Sequence, residues 1–376
     1  MGYTGIGLPG PGYLNAFSPA SWAQINRVRV EASALYEGYK SSDGDRSRYL
    51  ARADFNGALL AVPISQQNGI VLVGGFLPFS SVSYDAYTAG SFSGTADTLQ
   101  YSVHHTGSGG ITRGMIGFSY APLHDLALGF STNVLFGTLN ADETQIPHSA
   151  GYVGGEITDH VTANGVTFTL GALYSGFGSI TSSLQPLSLG FSITSHGVLT
   201  ARNQSTYKFT DAEFTSERDT AAEISQLTTI PVSFGVGLAY GASERVTLAA
   251  DYVTQFWSQA TINDQPAQSL RNSHRFGIGL ERAPAREMYA GFWDHVTLRV
   301  GAYYHATYYR PNDEPINELG VTTGFAFPFG GESRLNIALE YARRGTTDKS
   351  LVRDNIFRVS ASLNIGALWF VQYPDE

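Results

Sequence analysis

The chain contains no cysteine in 376 residues. That excludes thiol catalysis, thiolate metal sites and a disulfide scaffold, and it fits export through an oxidising compartment. Charge is scarce too: 15% of residues are Asp, Glu, Lys or Arg, against roughly a quarter in typical soluble domains. The 23 basic and 32 acidic residues give a net charge of -9, a field that repels polyphosphates, so nucleic acid is not an expected partner. No run approaches the roughly 18 apolar residues of a transmembrane helix. Residues 1–15 lack the basic start and apolar block of a signal peptide, so an exported chain would be numbered after its leader. A mean hydropathy of -0.09 suits a membrane barrel, whose apolar surface sits in alternate residues.

What is abundant points the same way: 42 Gly, 21 Tyr and 22 Phe argue against a helical protein. From Arg27 onwards the pattern has period two. Val28, Val30, Ala32, Ala34 and Tyr36 alternate with Arg27, Arg29, Glu31 and Ser33. Leu335, Ile337, Leu339 and Tyr341 alternate with Arg334, Asn336 and Glu340, and Phe357, Val359, Ala361, Leu363 and Ile365 with Arg358, Ser360, Ser362 and Asn364. Such segments fall at 27–39, 51–63, 69–84, 98–121, 124–140, 160–176, 185–208, 223–240, 244–260, 270–283, 294–310, 317–328, 333–344 and 354–370. Their even number predicts an all-β, transmembrane antiparallel barrel of about fourteen strands.

One series of connections is tight: 65–68, 122–125, 241–244 and 327–332. The other is longer and more polar: 40–49, 85–97, 141–159, 211–222, 261–268, 311–315 and 345–353. Short turns facing the periplasm and long loops facing outside put both termini in the periplasm. Aromatics gather near strand ends, as in Phe256 with Trp257, Phe292 with Trp293, Tyr303 to Tyr309, and Trp369 with Phe370, at the expected headgroup level. The competing reading is a soluble β-sandwich or barrel whose apolar face is its core, which would need an unusually large two-layer core.

Gly107, Gly109 and Gly110 interrupt the fourth strand, where they predict a kink and a side window in the wall, the alternative being a turn that splits the strand. Residues 1–26 carry too many Gly and Pro for regular structure, but Ile6, Leu8, Tyr13, Leu14, Phe17 and Trp22 would be costly to leave in water. The domain reading is therefore a plug over 1–26, a barrel over 27–370 and a periplasmic tail over 371–376. Arg27, Arg29, Glu31, Arg299, Arg334, Glu340 and Arg358 fall on inward positions of strands that closure makes neighbours. They predict a salt-bridge lattice across the lumen, the alternative being an Arg fork for a fatty carboxylate. The nine histidines show no metal-ligand spacing, and no nucleophile motif of the GxSxG type is present. Neither an enzyme nor a cofactor is expected.

The opening 1–7, MGYTGIG, and Ser18, Pro19, Ala20 and Ser21 before the first strand resemble the N-terminal region of the FadL-type outer-membrane transporters, whose usual triplet there is Asn-Pro-Ala. The stretch 107–140 resembles the Gly-Gly strand, short turn and following strand of FadL-like proteins from the Bacteroidetes and Chlorobi lineages. Ser18 departs from the usual Asn, the segment before the barrel is shorter than the hatch of the long-chain fatty-acid transporter, and the chain runs past the terminal aromatic. The resemblance implies a bacterial outer-membrane channel for hydrophobic small molecules such as long-chain fatty acids, in contact with membrane lipids. Its alternative is a PorV-like binding or scaffold subunit whose extracellular loops hold a protein partner.

Overall fold

The computed structural model describes every residue except 11, 94–97, 149–153, 211–214, 220–223, 268, 288 and 368–376. The chain forms a closed barrel of 14 antiparallel strands. β1 is Val28–Ser42 and β2 Ser47–Ser65. β3 runs as Ile70–Ser81 and resumes as Tyr84–Ser93. β4, β5 and β6 are Thr98–Leu123, Leu126–Pro147 and Gly154–Tyr174. β7 is Leu187–Thr194 with Gly197–Thr210, and β8 is Thr215–Asp219, Ile224–Ile230 and Ser233–Gly241. β9 to β14 are Val246–Gln255, Ser273–Arg282, Thr297–Ala306, Asn317–Pro328, Arg334–Gly345 and Arg353–Ala367. The sheet closes where β1 pairs with β14, from Val28 opposite Ala367 to Ser42 opposite Arg353. Closure leaves the seam without an edge, the condition for a sheet in lipid.

The alternation sorts the two faces. Leu60, Leu72, Ile116, Leu128, Val134, Leu170, Leu248, Ile278, Val321, Leu335 and Leu363 are exposed on the outer surface. In water such a belt would far exceed the few hundred Å² that a monomer ordinarily exposes; against lipid it carries no penalty. Outer-face rings pack on one another, as Phe118 with Phe130 and Phe130 with Phe168, and Trp257 stacks on Tyr308 at 4.5 Å near one rim. Spin labels at Leu248, Leu335 and Leu363 are expected to be quenched by a lipid-soluble reagent, and labels at Arg299 and Asn364 to be spared. The reverse pattern would place the apolar face inside.

Strand heights differ around the barrel. β4 has 26 residues, whereas β9, β10 and β11 have 10 each. The wall from β3 to β8 therefore rises well above the rest. This corrects the reading of 85–97 and 141–159 as loops: Tyr84–Ser93 pairs with β4 and 141–147 continues the β4–β5 ladder. Polar residues on both faces signal a strand that has left the membrane as much as they signal a loop. The ninth strand ends early, at Gln255, where Trp257–Gln259 turns as a 3-10 helix. The predicted strand end at 368–370, with Trp369 and Phe370, and the predicted tail at 371–376 lie outside the described residues.

Candidate functional site: a plugged lumen and a split wall

Residues 1–10 and 12–26 lie inside the barrel, at the end where β1 begins and β14 finishes. Asp251 on β9 accepts the backbone N–H groups of Gly5 at 2.6 Å and Ile6 at 2.8 Å. Thr322 on β12 accepts from Gly2, and Ser188 on β7 donates to the Gly7 carbonyl. Pro19–Gln24 forms a 3-10 helix with Pro at its start. There Trp22, 1% exposed, packs with Leu14, Leu59, Val71, Val73 and Met115 and donates from its indole to the Asn15 carbonyl at 2.7 Å. Ser18 precedes this turn with its hydroxyl buried and unpaired, and Ala20 packs on Ala127 and Leu173.

The wall is cut away to receive this segment. Gly129 and Gly171 pair across β5 and β6, Gly190 and Gly237 across β7 and β8, and Gly279 and Gly301 across β10 and β11. A Cβ at Gly129 or Gly171 would run into Ser18, Pro19 or Ala20, and one at Gly190, Gly237 or Gly301 into the backbone of Ile6, Gly7 or Gly2. A band of glycines around the inner wall thus seats backbone against backbone. Sequence reasoning missed this band, although its signal was there: glycines on inward positions of several successive strands at one height.

The lumen charges form two groups and two outliers. Arg358 is the hub of the larger group, pairing with Glu37 and Glu340 and, at 3.2 Å, with Glu318. Tyr303 Oη lies 2.5 Å from Glu318 and 2.7 Å from Glu340, and Arg52 holds Glu37 from the other side at 2.7 Å. This group runs from β11 across the β14–β1 seam to β2. The smaller group has Arg27 and Arg29 on Glu332 and Asn364 on Glu31. Arg299 pairs with Glu281 at 2.6 Å and lies over the Tyr13 ring. Arg334 forms no ion pair among the described residues. Glu37, Glu281, Glu318 and Glu332 complete the groups and were not singled out in the sequence, because no pairing register is visible before the strands are assembled.

The glycine run in β4 does not open the wall. Gly109 has φ +103°, but its neighbours on β5 stay in register from Gly107 opposite Ala141 to Gly110 opposite Thr138. Towards β3 the Val82 N–H still reaches the Gly109 carbonyl at 2.9 Å. The glycines serve close approach: the Tyr84 ring lies over Gly107, and the Ser80 carbonyl comes up against Gly110.

The wall parts one interface away. β2 and β3 pair from Ser65 opposite Ile70 to Ala58 opposite Phe76 and no further. Gly57, at φ +120°, follows an extra residue in β2, and Gly75, at φ +154°, sits against the Ala58 carbonyl. Only glycine takes these conformations without strain. Beyond them, among the described residues, the upper half of β2 pairs with β1 alone and Tyr84–Ser93 with β4 alone. The gap opens into a cavity of about 860 Å³ that extends to Tyr39 and Ser41 of β1, Arg344 of β13 and Asp354 of β14 and is lined mainly by polar and charged residues, including Arg46, Arg48, Arg52 and Asp85. Arg48 bridges it to Asp85 at 2.7 Å, and Arg52 reaches Ser81.

Above the plug the lumen holds a cavity of about 230 Å³. Ile6, Phe17, Phe79, Ile230 and Val253 line part of it, and Arg113, Asn133, Thr167, Gln255, Arg275 and His305 make the rest of its wall polar. A second cavity, of about 260 Å³, lies between the plug and β11, β13 and β14, with Glu31 and Arg299 in its wall. Among the described residues no cluster could hold a metal ion.

A closed strand cylinder with an apolar outer belt and a chain segment folded into its lumen is an outer-membrane β-barrel. Its shape is that of the FadL and TodX channels. The Pseudomonas putida toluene transporter TodX aligns over 94% of this chain and 93% of its own at 17% identity and a TM-score of 0.60. The Ralstonia pickettii toluene transporter TbuX aligns over 92% and 91% at 16% identity and 0.58, and a Pseudomonas aeruginosa FadL homologue over 97% and 97% at 13% identity and 0.54. The chain belongs to the BamG family, whose model matches residues 1–374. No curated protein sequence matches it.

Proposed function

We propose that this chain is a non-conducting outer-membrane barrel that acts as a binding or scaffold subunit, holding a protein partner on the loop side, with both termini in the periplasm. The observation that carries this reading is the set of polar and charged groups in the wall of the cavity above the plug. A hydrocarbon entering the 230 Å³ cavity would displace the surroundings of Arg113, Arg275 and Asn133 without replacing a hydrogen bond. Burying such groups against an apolar guest costs several kcal/mol. Below the cavity the glycine-seated plug closes the barrel, and beside it the Arg358 group ties the seam shut. The BamG family match supports a protein-partner role.

A second reading, passage of hydrophobic small molecules, is favoured by one observation: the β2–β3 split offers a way between outside, lumen and lipid without moving the plug. The two separate experimentally. The scaffold reading expects no stepwise conductance in planar bilayers, unchanged fatty-acid and toluene uptake in a deletion strain, and a stoichiometric protein partner on mild detergent extraction. Loss of uptake on deletion, with the barrel purifying alone, would overturn it in favour of transport.

A further inference from the structure

We infer that the cleft between β2 and β3 is a strand-addition site, filled by an extended segment of the protein partner. The inference rests on the scaffold reading and gives it a location. Two unpaired strand edges face each other across the cleft, Ser47–Phe55 within β2 and Tyr84–Ser93 of β3, and an unpaired edge is a template for another strand. On β3 the direction of the free groups follows from the ladder. Val82 donates to Gly109, so by the period of two the residues 84, 86 and 88 exchange bonds with β4. Asp85, Tyr87 and Ala89 then point their N–H and C=O groups into the cleft. The Asp85 carbonyl does so, since it accepts from Arg48 at 3.1 Å.

Arg48 is the width gauge. It stretches across to Asp85 where a direct ladder would bring the two strands to about 4.8 Å. The occupant is polypeptide rather than hydrocarbon because the walls carry Arg46, Arg48, Arg52 and Asp85. It has an acidic side chain on the partner strand: Arg46 lines the opening and makes no ion pair among the described residues, so its guanidinium group is open to a carboxylate. Beside the cleft, Tyr36 and Tyr49 are exposed and joined at 2.9 Å through their hydroxyls. Such amphipathic rings stand at headgroup level, which puts the occupant outside the apolar layer.

The test uses proline as a selective donor deletion. Ala89→Pro removes an N–H that faces the cleft and leaves the β4 ladder whole. Arg48→Glu reverses the charge of the gauge. Both variants are expected to insert as heat-modifiable barrels and to lose the co-purifying partner at least tenfold. In the wild-type complex, amides within 47–55 and 84–93 should exchange more slowly than in the stripped barrel. Full retention of the partner by both variants, or no added protection, overturns the strand-addition site and leaves the scaffold reading standing. Lipopolysaccharide alone in the purified material, with no protein partner, overturns both.

Discussion

Arg358→Met is expected to lower the unfolding free energy of the barrel by about 3–5 kcal/mol, the cost of breaking a buried ion pair from one side. The size follows from the number of carboxylates left behind. Glu37, Glu318 and Glu340 converge on one guanidinium, and the Glu37 side chain is only 3% exposed. Arg52 still holds Glu37, but Glu318 and Glu340 keep the shared Tyr303 hydroxyl, with Tyr3 at 3.4 Å from Glu340 and Arg344 at 3.9 Å from Glu318 as their remaining partners. Neutralising one acid should recover part of the loss, so Arg358→Met combined with Glu340→Gln is expected to be more stable than Arg358→Met alone. Urea-induced unfolding in liposomes, followed by tryptophan fluorescence, checks both. Equal stability of wild type and Arg358→Met would assign the arginine to ligand binding, with the carboxylates held by other means.

The second large effect is expected at the plug seat. Gly237→Leu places a branched side chain where the Gly7 backbone lies, and overpacking of this kind costs about 1–3 kcal/mol even where neighbours can adjust. Here the side chain meets both the Gly7 backbone and the Asp251 carboxylate that holds Gly5 and Ile6, so residues 1–8 are expected to leave. The absence of natural cysteine makes the displacement readable. An Ile6→Cys substitution, at a position 2% exposed, should be inert to a water-soluble maleimide in the native background and react fully when Gly237→Leu is added. Gly237→Ala should give an intermediate rate, which keeps the test valid if the leucine variant fails to insert. A thiol at position 6 that stayed inert in an inserted Gly237→Leu barrel would show that the glycine band does not determine the seat.

The fourteen strands were legible because lipid imposes alternation on every wall segment, so Val28 to Tyr36 and Phe357 to Ile365 declare their faces without a partner. The height of the wall was not. Once a strand passes the headgroups both faces meet water, and 141–147 reads like a loop while pairing with β4. Site residues followed the same division. Arg358 and Glu340 were found because inward parity survives any register, whereas Glu37 and Glu318 required the register itself, and Glu31 sits apart from the hub, on Asn364 instead. The glycine signal was read at the wrong place for a physical reason: 107–110 is the densest glycine run in that part of the chain, yet density marks close approach, and the split depends on two glycines at positive φ, one on each parting strand.

The glycine band also dictates an order of events. Gly2 is bonded to Thr322, 320 residues away, and Gly5 and Ile6 to Asp251, about 245 residues away, while the band itself is spread over strands from β5 to β11. Neither bond can form until most of the barrel exists, and contacts of such separation make folding slow. Once β1 has zipped to β14 along its whole length, the interior can be reached only through the rims or the β2–β3 split. An N-terminal segment that settles while the β1–β14 seam is still open is enclosed when that seam closes.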